Sequence, residues 1–208
     1  MVGHLQTSVP EATKLVDSGQ MLLYYRLPDA PTDDRAKEAS PTQLVFLDAA
    51  LSDRHQLLAG TVSEAEAILL NSAWDGVQQI ADALHGRSNI EALHIVSHGM
   101  SGCLYLGRTC LQEANLHRYA PQLQQWRNAL ASNGEILLYG CKVAAEAAGL
   151  AFVRRFAALM GVSVAATRGL MGSPQLGGNW EFEVRTGPIR TGLAFSRDAI
   201  ASYPHVFG

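Results

Sequence analysis

The sequence predicts an α/β fold of three layers, in which helices cover both faces of a mostly parallel, six-stranded sheet. Short, nearly continuous apolar runs alternate along the chain with stretches whose apolar residues recur every three or four positions. Runs of the first kind are typical of strands buried on both faces, and stretches of the second kind are typical of the helices that cover such a sheet. Their alternation indicates parallel strands joined by right-handed crossovers.

Six segments are predicted as strands. Five are nearly continuous apolar runs, whereas the last alternates apolar and polar residues and is predicted to be more exposed. In chain order the six segments are 44–48, 65–70, 92–98, 135–141, 162–167 and 179–185.

Three helices are predicted between these strands. The first follows Asp75, which is placed to cap it, and it shows apolar residues at helical spacing. The second covers 116–130 and restarts at Pro121, since proline is tolerated at the first helical position. The third covers 144–160 and is predicted to stop at Gly161.

The chain is predicted to have three parts. Residues 1–42 form an N-terminal arm and linker, in which Gln20–Leu27 is either a strand or a docked segment. Residues 43–190 form one α/β domain, and 191–208 form a C-terminal tail with weak signals. A chain of 208 residues suits one domain with an arm.

Composition excludes several classes of function. Apolar residues make up 48% of the chain and charged residues 17%, which suits a sizeable core. The net charge is −3 with no basic cluster, so no nucleic-acid partner is expected. No apolar run approaches the roughly 18 residues of a membrane span, and no signal peptide is visible.

The chain has three cysteines, which are too few for a disulfide scaffold. Cys103 and Cys110 flank a predicted hairpin and either pair or, as the more common arrangement, remain two semi-buried thiols. No metal site or cofactor is expected, because the spacings typical of zinc and calcium ligands are missing.

The most informative feature is a histidine and a cysteine at the ends of two successive strands. Ala92–Gly99 ends in His98-Gly99, and Glu135–Cys141 ends in Gly140-Cys141. In open α/β sheets, functional groups gather beyond the carboxyl ends of the strands. An imidazole and a thiol meeting at one sheet edge would form a cysteine nucleophile with a histidine base.

Neighbouring features suit the same chemistry. Cys141 precedes the predicted helix at Ala144, whose free amides are expected to favour a thiolate. Gly99 and Gly140 leave room for a substrate backbone. The amides of Gly99 and Cys141 are predicted to form an oxyanion hole.

The two strand ends resemble the His-Gly and Gly/Ala-Cys motifs of the caspase-like cysteine peptidases, which include caspases, gingipains, clostripain and legumain. More closely, the chain resembles a bacterial family catalogued as domain of unknown function 4347, often an N-terminal module of very large secreted or cell-surface proteins. The resemblance covers roughly residues 43–190. Its segments are Phe46–Asp48, Asp75–Ile80, Ile95–Gly99, Leu138–Cys141, Val164–Thr167 and Leu176–Trp180.

This resemblance implies a caspase-like fold with His98 and Cys141 as the catalytic pair, in a secreted or cell-surface setting. The sequence departs from the family pattern at Asn179, where aspartate is expected, and at Thr167-Arg168, where Ser-Thr is more usual. Both departures are predicted to lie near the substrate groove, so they bear on specificity.

Five residues are candidates for substrate binding. In caspase-like peptidases the end of the first strand lines the pocket for the residue before the scissile bond, and Asp48 there would favour lysine or arginine; alternatively, Asp48 caps a loop. Tyr139 adds no second carboxylate to such a pocket. Arg168, beside Thr167, either attracts an acidic side chain or pairs with Asp48. Trp180 either walls the groove or belongs to the core.

The sequence therefore predicts a cysteine endopeptidase that acts on a protein or peptide, with its own precursor or an associated protein as the target. Residues 28–41 and the tail beyond Pro188 are candidate processing segments. The alternative is a non-catalytic recognition or anchoring module on the same scaffold. A serine hydrolase is disfavoured, because Ser97–Gly102 lacks the G-x-S-x-G motif.

Overall fold

A computed structural model describes residues 41–208 and two strands of the N-terminal arm, at 11–15 and 21–25. The second of these confirms a strand within Gln20–Leu27. The predicted linker falls largely among residues 26–40, which lie outside the described part.

The described strands form one large sheet and one small sheet. In chain order they are β1 (Glu11–Leu15), β2 (Met21–Tyr25), β3 (Gln43–Asp48), β4 (Ala65–Leu70), β5 (Ile90–Val96), β6 (Gly99–Met100), β7 (Cys103–Leu106), β8 (Thr109–Gln112), β9 (Leu130–Tyr139), β10 (Ser163–Ala166) and β11 (Val184–Arg185).

The large sheet has the order β1-β2-β4-β3-β5-β9-β10-β11. Its five central strands, β4 to β10 in that order, are parallel, and β11 pairs antiparallel with β10. These six strands confirm the predicted fold class. The arm adds β1 and β2 in antiparallel pairing and extends the sheet to eight strands.

Helices cover both faces of the sheet. Buried residues of α2, α3 and α4 form one apolar cluster, and those of α1 and α5 belong to a second cluster. The helices are α1 (Arg54–Ala59), α2 (Gly76–Leu84), α3 (Ala120–Ala129), α4 (Glu146–Met160) and α5 (Arg197–Ser202), with 3-10 turns at Glu113–Tyr119 and Pro174–Leu176.

Strand β3 shows why the sequence signal is a continuous apolar run. Leu44 and Phe46 point into the cluster of α2, α3 and α4, whereas Val45 and Leu47 point into the cluster of α1 and α5. Because successive side chains of a strand point to opposite faces, a strand buried on both faces needs apolar residues throughout.

The predicted helix boundaries follow local capping chemistry. The Asp75 carboxylate accepts a hydrogen bond from the Gln78 amide at 3.0 Å and caps α2, as predicted. Pro121 lies in the first turn of α3, and Gly161 ends α4 with a positive φ of 67°.

Three local predictions were wrong. The sequence predicts a short turn over Leu57–Gly60, but Leu57–Ala59 belong to α1 and Gly60 is its C-cap. Of the strand predicted over 179–185, only β11 joins the large sheet, while Asn179 forms an isolated bridge with Met171. Trp180 and Phe182 between them pack inward from an irregular segment. Cys103 and Cys110, favoured as free thiols, form a disulfide across the β7–β8 hairpin.

Residues 191–208, set apart in the sequence as a tail, pack into the same unit as the rest. The Ser196 hydroxyl caps α5 by accepting from the Ala199 amide at 3.3 Å. Beyond the helix, Tyr203 and Phe207 are buried in the cluster that also contains α1. The boundary drawn at residue 190 therefore does not separate two structural units.

None of the helices in the described ranges is long and apolar enough to cross a lipid bilayer.

His94 is a packed histidine in the middle of β5. Its Nδ1 lies 3.1 Å from the Tyr139 hydroxyl, which accepts from the Ala194 amide, and its Nε2 lies 3.4 Å from Gln43 Oε1. Burial lowers the pKa of His94 to about 4, although the Glu135 carboxylate opposes this shift. The imidazole is therefore neutral in the folded protein at neutral pH.

This burial predicts an acid-sensitive contribution to stability. The unfolded chain binds a proton at His94 near pH 6.5, whereas the folded chain does so only near pH 4. Stability should therefore fall as the pH drops through this window, by roughly 1.4 kcal/mol per pH unit. His94→Gln, which cannot titrate, should show a shallower fall in urea unfolding at pH 7 and 4.5. The exposed His117→Gln should keep the wild-type slope; equal slopes in all three proteins would contradict the assignment.

Candidate active site

The register between β5 and β9 places His98 and Cys141 on neighbouring loops at one edge of the sheet. Val96 pairs with Tyr139 in the parallel ladder, and the Ser97 amide donates to the Tyr139 carbonyl at 3.1 Å. His98 follows two residues after Val96, and Cys141 follows two residues after Tyr139. The predicted placement at the carboxyl ends of adjacent strands is thus the observed one.

The two loops touch through glycine backbone. A Cβ added at Gly140 would lie 3.3 Å from the Gly99 Cα. A Cβ added at Gly99 would lie 2.7 Å from Val143 Cγ2 and 3.0 Å from the Cys141 carbonyl oxygen. Glycine at these positions therefore permits the close approach of the two loops.

Two amides at this junction point at the same carbonyl oxygen. The Gly99 amide donates to the Phe207 carbonyl at 3.1 Å, and the Cys141 amide donates to it at 3.0 Å. These are the two amides predicted to form an oxyanion hole, and the distances suit N–H···O hydrogen bonds. The acceptor comes from the C-terminal end of the chain, which the sequence analysis did not place in the site.

Residues 205–208, here called the terminal segment, lie in extended form beside a strand-like stretch at 171–173. The Phe207 amide donates to the Met171 carbonyl at 2.9 Å, and the Ser173 amide donates to the His205 carbonyl at 2.8 Å. Gly172 and Val206 form an antiparallel bridge between them. The terminal segment is therefore held by backbone pairing.

Asn179 supports this stretch from its other edge. Its carbonyl accepts from the Gly172 amide at 2.9 Å, and its amide donates to the Leu170 carbonyl at 2.9 Å. The side chain, where the sequence departs from the expected aspartate, accepts from the Glu181 amide through its Oδ1 at 2.8 Å, while the backbone makes the pairing.

The Phe207 side chain fills an apolar pocket beside the sulfur. It is fully buried, and its ring centroid lies 5.5 Å from that of Trp180 and 5.4 Å from that of Tyr203. Met171 belongs to the same buried cluster. Trp180 is therefore a core residue, which is one of the two alternatives that the sequence left open, and it also packs against the Phe207 ring.

The Cys141 thiol is buried beneath the terminal segment. Its sulfur accepts from the Met171 amide at 3.3 Å and lies 3.6 Å from the Met171 carbonyl. A Cβ at Gly208 would lie 3.3 Å from the sulfur. Burial raises the pKa of the Cys141 thiol, although the Met171 amide and the charge of Lys142 oppose the shift.

The prediction that free amides at the start of a helix favour the Cys141 thiolate was wrong. Helix α4 begins at Glu146, and the amides of Lys142, Ala144 and Ala145 before it already donate to backbone carbonyls. The Lys142 amide donates to the Gly169 carbonyl, and the Ala144 amide donates to the Thr167 carbonyl, at 2.7 and 2.9 Å. Because these amides bond to backbone, they do not act on the sulfur.

His98 is held by its backbone and has a free ring nitrogen. Its carbonyl accepts from the Tyr105 amide at 3.0 Å and from the Ser97 hydroxyl at 3.1 Å. Its Nδ1 is buried and has no hydrogen-bond partner within residues 41–208. A buried polar atom without a partner is costly, so this nitrogen is free to bond to a group that reaches it.

Asp48 supports the site but does not line the pocket. It is buried, its Oδ1 accepts from the Ala50 amide at 2.8 Å, and its Oδ2 accepts from the Gly107 amide. Burial raises the pKa of this carboxyl, and the nearby His98 partly opposes that shift. Oδ1 is engaged within the loop after β3, and Oδ2 joins this loop to the β7–β8 turn. Since both oxygens are engaged, the expected pocket for lysine or arginine does not form around Asp48.

The other predicted substrate-binding residues lie in structural positions. Tyr139 is fully buried and hydrogen-bonded to His94 and Ala194. The buried Thr167 hydroxyl donates to Glu183 Oε2 at 2.7 Å, and the exposed Arg168 donates its backbone amide to the same oxygen at 2.9 Å. Arg168 is not paired with Asp48, whose oxygens bond to backbone amides.

Sequence reasoning missed Met171, Tyr203 and Phe207. The aromatic residues near the end of the chain indicated that this segment packs against the domain, because large aromatic side chains are usually buried. Their partners lie far away in the sequence, so no local pattern indicated where they dock. Among residues 41–208, no three His, Cys, Asp or Glu side chains cluster in a way that could hold a metal ion.

Residues 44–207 match the sequence model of a family described as Domain of unknown function (DUF4347). This chain belongs to that family. The match continues through 191–207, so the α5 region and most of the terminal segment lie within the DUF4347 domain. The chain has no match among curated proteins.

Gly99→Ala tests the close approach of the two loops in the DUF4347 domain. The added methyl would crowd Val143 and the Cys141 carbonyl, so it should cost about 1–3 kcal/mol of unfolding free energy. A methyl at Gly192 meets no atom within 4 Å, so Gly192→Ala should change stability by less than about 0.5 kcal/mol. Urea unfolding measures both variants, and equal effects would contradict the predicted crowding.

Alkylation of Cys141 tests the burial of the thiol. In the loosened-tail variant, His205, Val206 and Phe207 are replaced with glycine. Losing the buried Phe207 side chain should remove about 1.5–3 kcal/mol of the free energy that holds the terminal segment in place. Iodoacetamide should label Cys141 slowly in the parent and about tenfold faster in this variant. Mass spectrometry measures the labelled fraction over time. Because burial raises the thiol pKa, the parent rate should still be rising above pH about 8.5.

The exposed Leu176→Gly is the matched control and should label like the parent. Fast labelling of the parent at neutral pH would show that the terminal segment does not cover the thiol.

Proposed function

We propose that this DUF4347 domain is a caspase-like cysteine endopeptidase, with Cys141 as nucleophile and His98 as the group that carries the proton. The observation that supports this most directly is the convergence of the Gly99 and Cys141 amides on one carbonyl oxygen beside the sulfur. Acyl transfer needs this combination of nucleophile and paired donors.

In the proposed reaction the sulfur attacks the carbonyl carbon of a peptide bond whose oxygen is held by the two amides. The negative charge that develops on this oxygen is stabilised by N–H groups already in place, and losing one such donor typically costs about 100- to 1000-fold in rate. His98 takes the thiol proton and passes it to the departing nitrogen. Its unpartnered Nδ1 is a free atom for this transfer.

The raised pKa of Cys141 fits a nucleophile that is generated during the reaction. With the terminal segment in place the thiol is protonated at neutral pH, so attack requires transfer of its proton to His98. The proposed substrates are a protein or peptide, with the precursor of this chain or an associated protein as the target.

A recognition module without catalysis is the second candidate. Its support is the same filled groove: a buried thiol of raised pKa under a tightly paired peptide could serve binding alone. The two functions differ in whether the bond beside the sulfur is cut.

Digestion of a mixed peptide library tests the endopeptidase function. The loosened-tail variant, with its groove vacated, should cleave a subset of peptides, and adding Cys141→Ala or His98→Ala should lower the rate by about 1000-fold or more. His117→Gln on the same background is the control and should retain cleavage. Mass spectrometry identifies the cut bonds. Cleavage that survives Cys141→Ala, or no cleavage by any protein, would contradict the proposal.

A further inference from the structure

We infer that the peptide bond between Phe207 and Gly208 is the bond on which the site acts, so that the terminal segment is an internal substrate. This inference rests on the proposed endopeptidase function and adds its substrate: a segment of this same chain with a bulky aromatic residue before the cut.

The terminal segment lies in the direction that cleavage requires. Its backbone pairs antiparallel with residues 171–173 through bonds at His205 and Phe207. The chain then delivers the Phe207 carbonyl oxygen to the two amide donors, and Gly208 follows beside the sulfur of Cys141. A segment that only covered the sulfur would not need a carbonyl oxygen that accepts from both the Gly99 and the Cys141 amides.

The pocket for the residue before the bond is apolar and aromatic. Trp180 and Tyr203 pack edge-on or tilted against the Phe207 ring, and Met171 belongs to the same buried cluster. The carboxylate expected to select a basic residue, Asp48, is occupied by backbone amides. A lysine or arginine in this pocket would be buried without a counter-charge, which is costly.

The chain before the bond is anchored at two further points. The Tyr203 hydroxyl donates to the Ser52 carbonyl at 2.9 Å, and His205 Nε2 lies 2.8 Å from Asp53 Oδ2. Both partners precede α1, so the β3–α1 loop helps to position the segment. Anchoring within one chain makes the attack intramolecular, which favours the reaction without a second molecule.

The proposed steps balance as a hydrolysis. The Cys141 sulfur bonds to the Phe207 carbonyl carbon, the carbon–nitrogen bond to Gly208 breaks, and His98 moves the thiol proton to the Gly208 nitrogen. Water then attacks the thioester, gives its proton to His98, and the carbon–sulfur bond breaks. The thiol regains a proton, and a carboxylate remains at Phe207 as the new chain end.

The test uses the full chain extended past Gly208 by a flexible spacer and a reporter protein. Intact-mass analysis should find a cut after Phe207 in the parent and none with Cys141→Ala or His98→Ala. The fraction cut at a given time should not change on dilution, since the reaction is intramolecular. Phe207→Leu should still be cut, whereas Phe207→Lys should be slowed about tenfold or more, because its ammonium would enter an apolar pocket.

A peptide assay covers the case in which Phe207→Lys does not fold. The loosened-tail variant is offered Tyr-Pro-His-Val-Phe-Gly and the same peptide with lysine before glycine, and the phenylalanine peptide should be cut about tenfold faster. An uncut extended chain, or preference for the lysine peptide, would overturn the inference.

The two proposals fail in different ways. Cleavage at another bond that depends on Cys141 would overturn the internal substrate and leave the endopeptidase function standing. An extended chain that stays intact, with no library peptide cut by the loosened-tail variant, would overturn both.

Discussion

The parallel pairing of β5 with β9 is the constraint on which the site depends. Because Val96 lies opposite Tyr139, β5 and β9 end at the same edge of the sheet and bring His98 and Cys141 together there. A shift of one residue in this register would turn every buried side chain of either strand to the opposite face. The glycines after the strands then allow the loops to touch, so the geometry of the two amides follows from the core of the sheet.

The second apolar cluster serves both the fold and the groove. Tyr203 and Phe207 help to bury Trp180, while Trp180 and Met171 form the walls around Phe207. Packing of the core and burial of the terminal segment therefore use the same contacts. Because the residues around Phe207 also belong to the core, docking of the terminal segment is coupled to folding of the C-terminal region.

The sheet, the helices and the pair at its edge could be predicted because each leaves a local pattern. The apolar run at β3, the Asp75 cap and the strand ends at His98 and Cys141 are examples. Asp48 was harder, because its partner Gly107 is fixed only by the fold. The terminal segment could not be placed, since its contacts with Gly99 and Met171 join distant parts of the sequence. The prediction that helix amides favour the thiolate was wrong because the Lys142 and Ala144 amides before α4 donate to carbonyls of another loop.

The disulfide of the β7–β8 hairpin links the rigidity of this edge of the sheet to the redox state of its surroundings. Strand β6 contains Gly99 and pairs with β7, while the Tyr105 amide of β7 bonds to the His98 carbonyl. The cross-link between Cys103 and Cys110 therefore braces the support of the histidine loop. Disulfides persist in oxidising surroundings and are reduced by cytosolic thiols. Rigidity next to the imidazole thus depends on the redox state of the compartment, so the same chain would be stiffer at this edge outside the cell than within it.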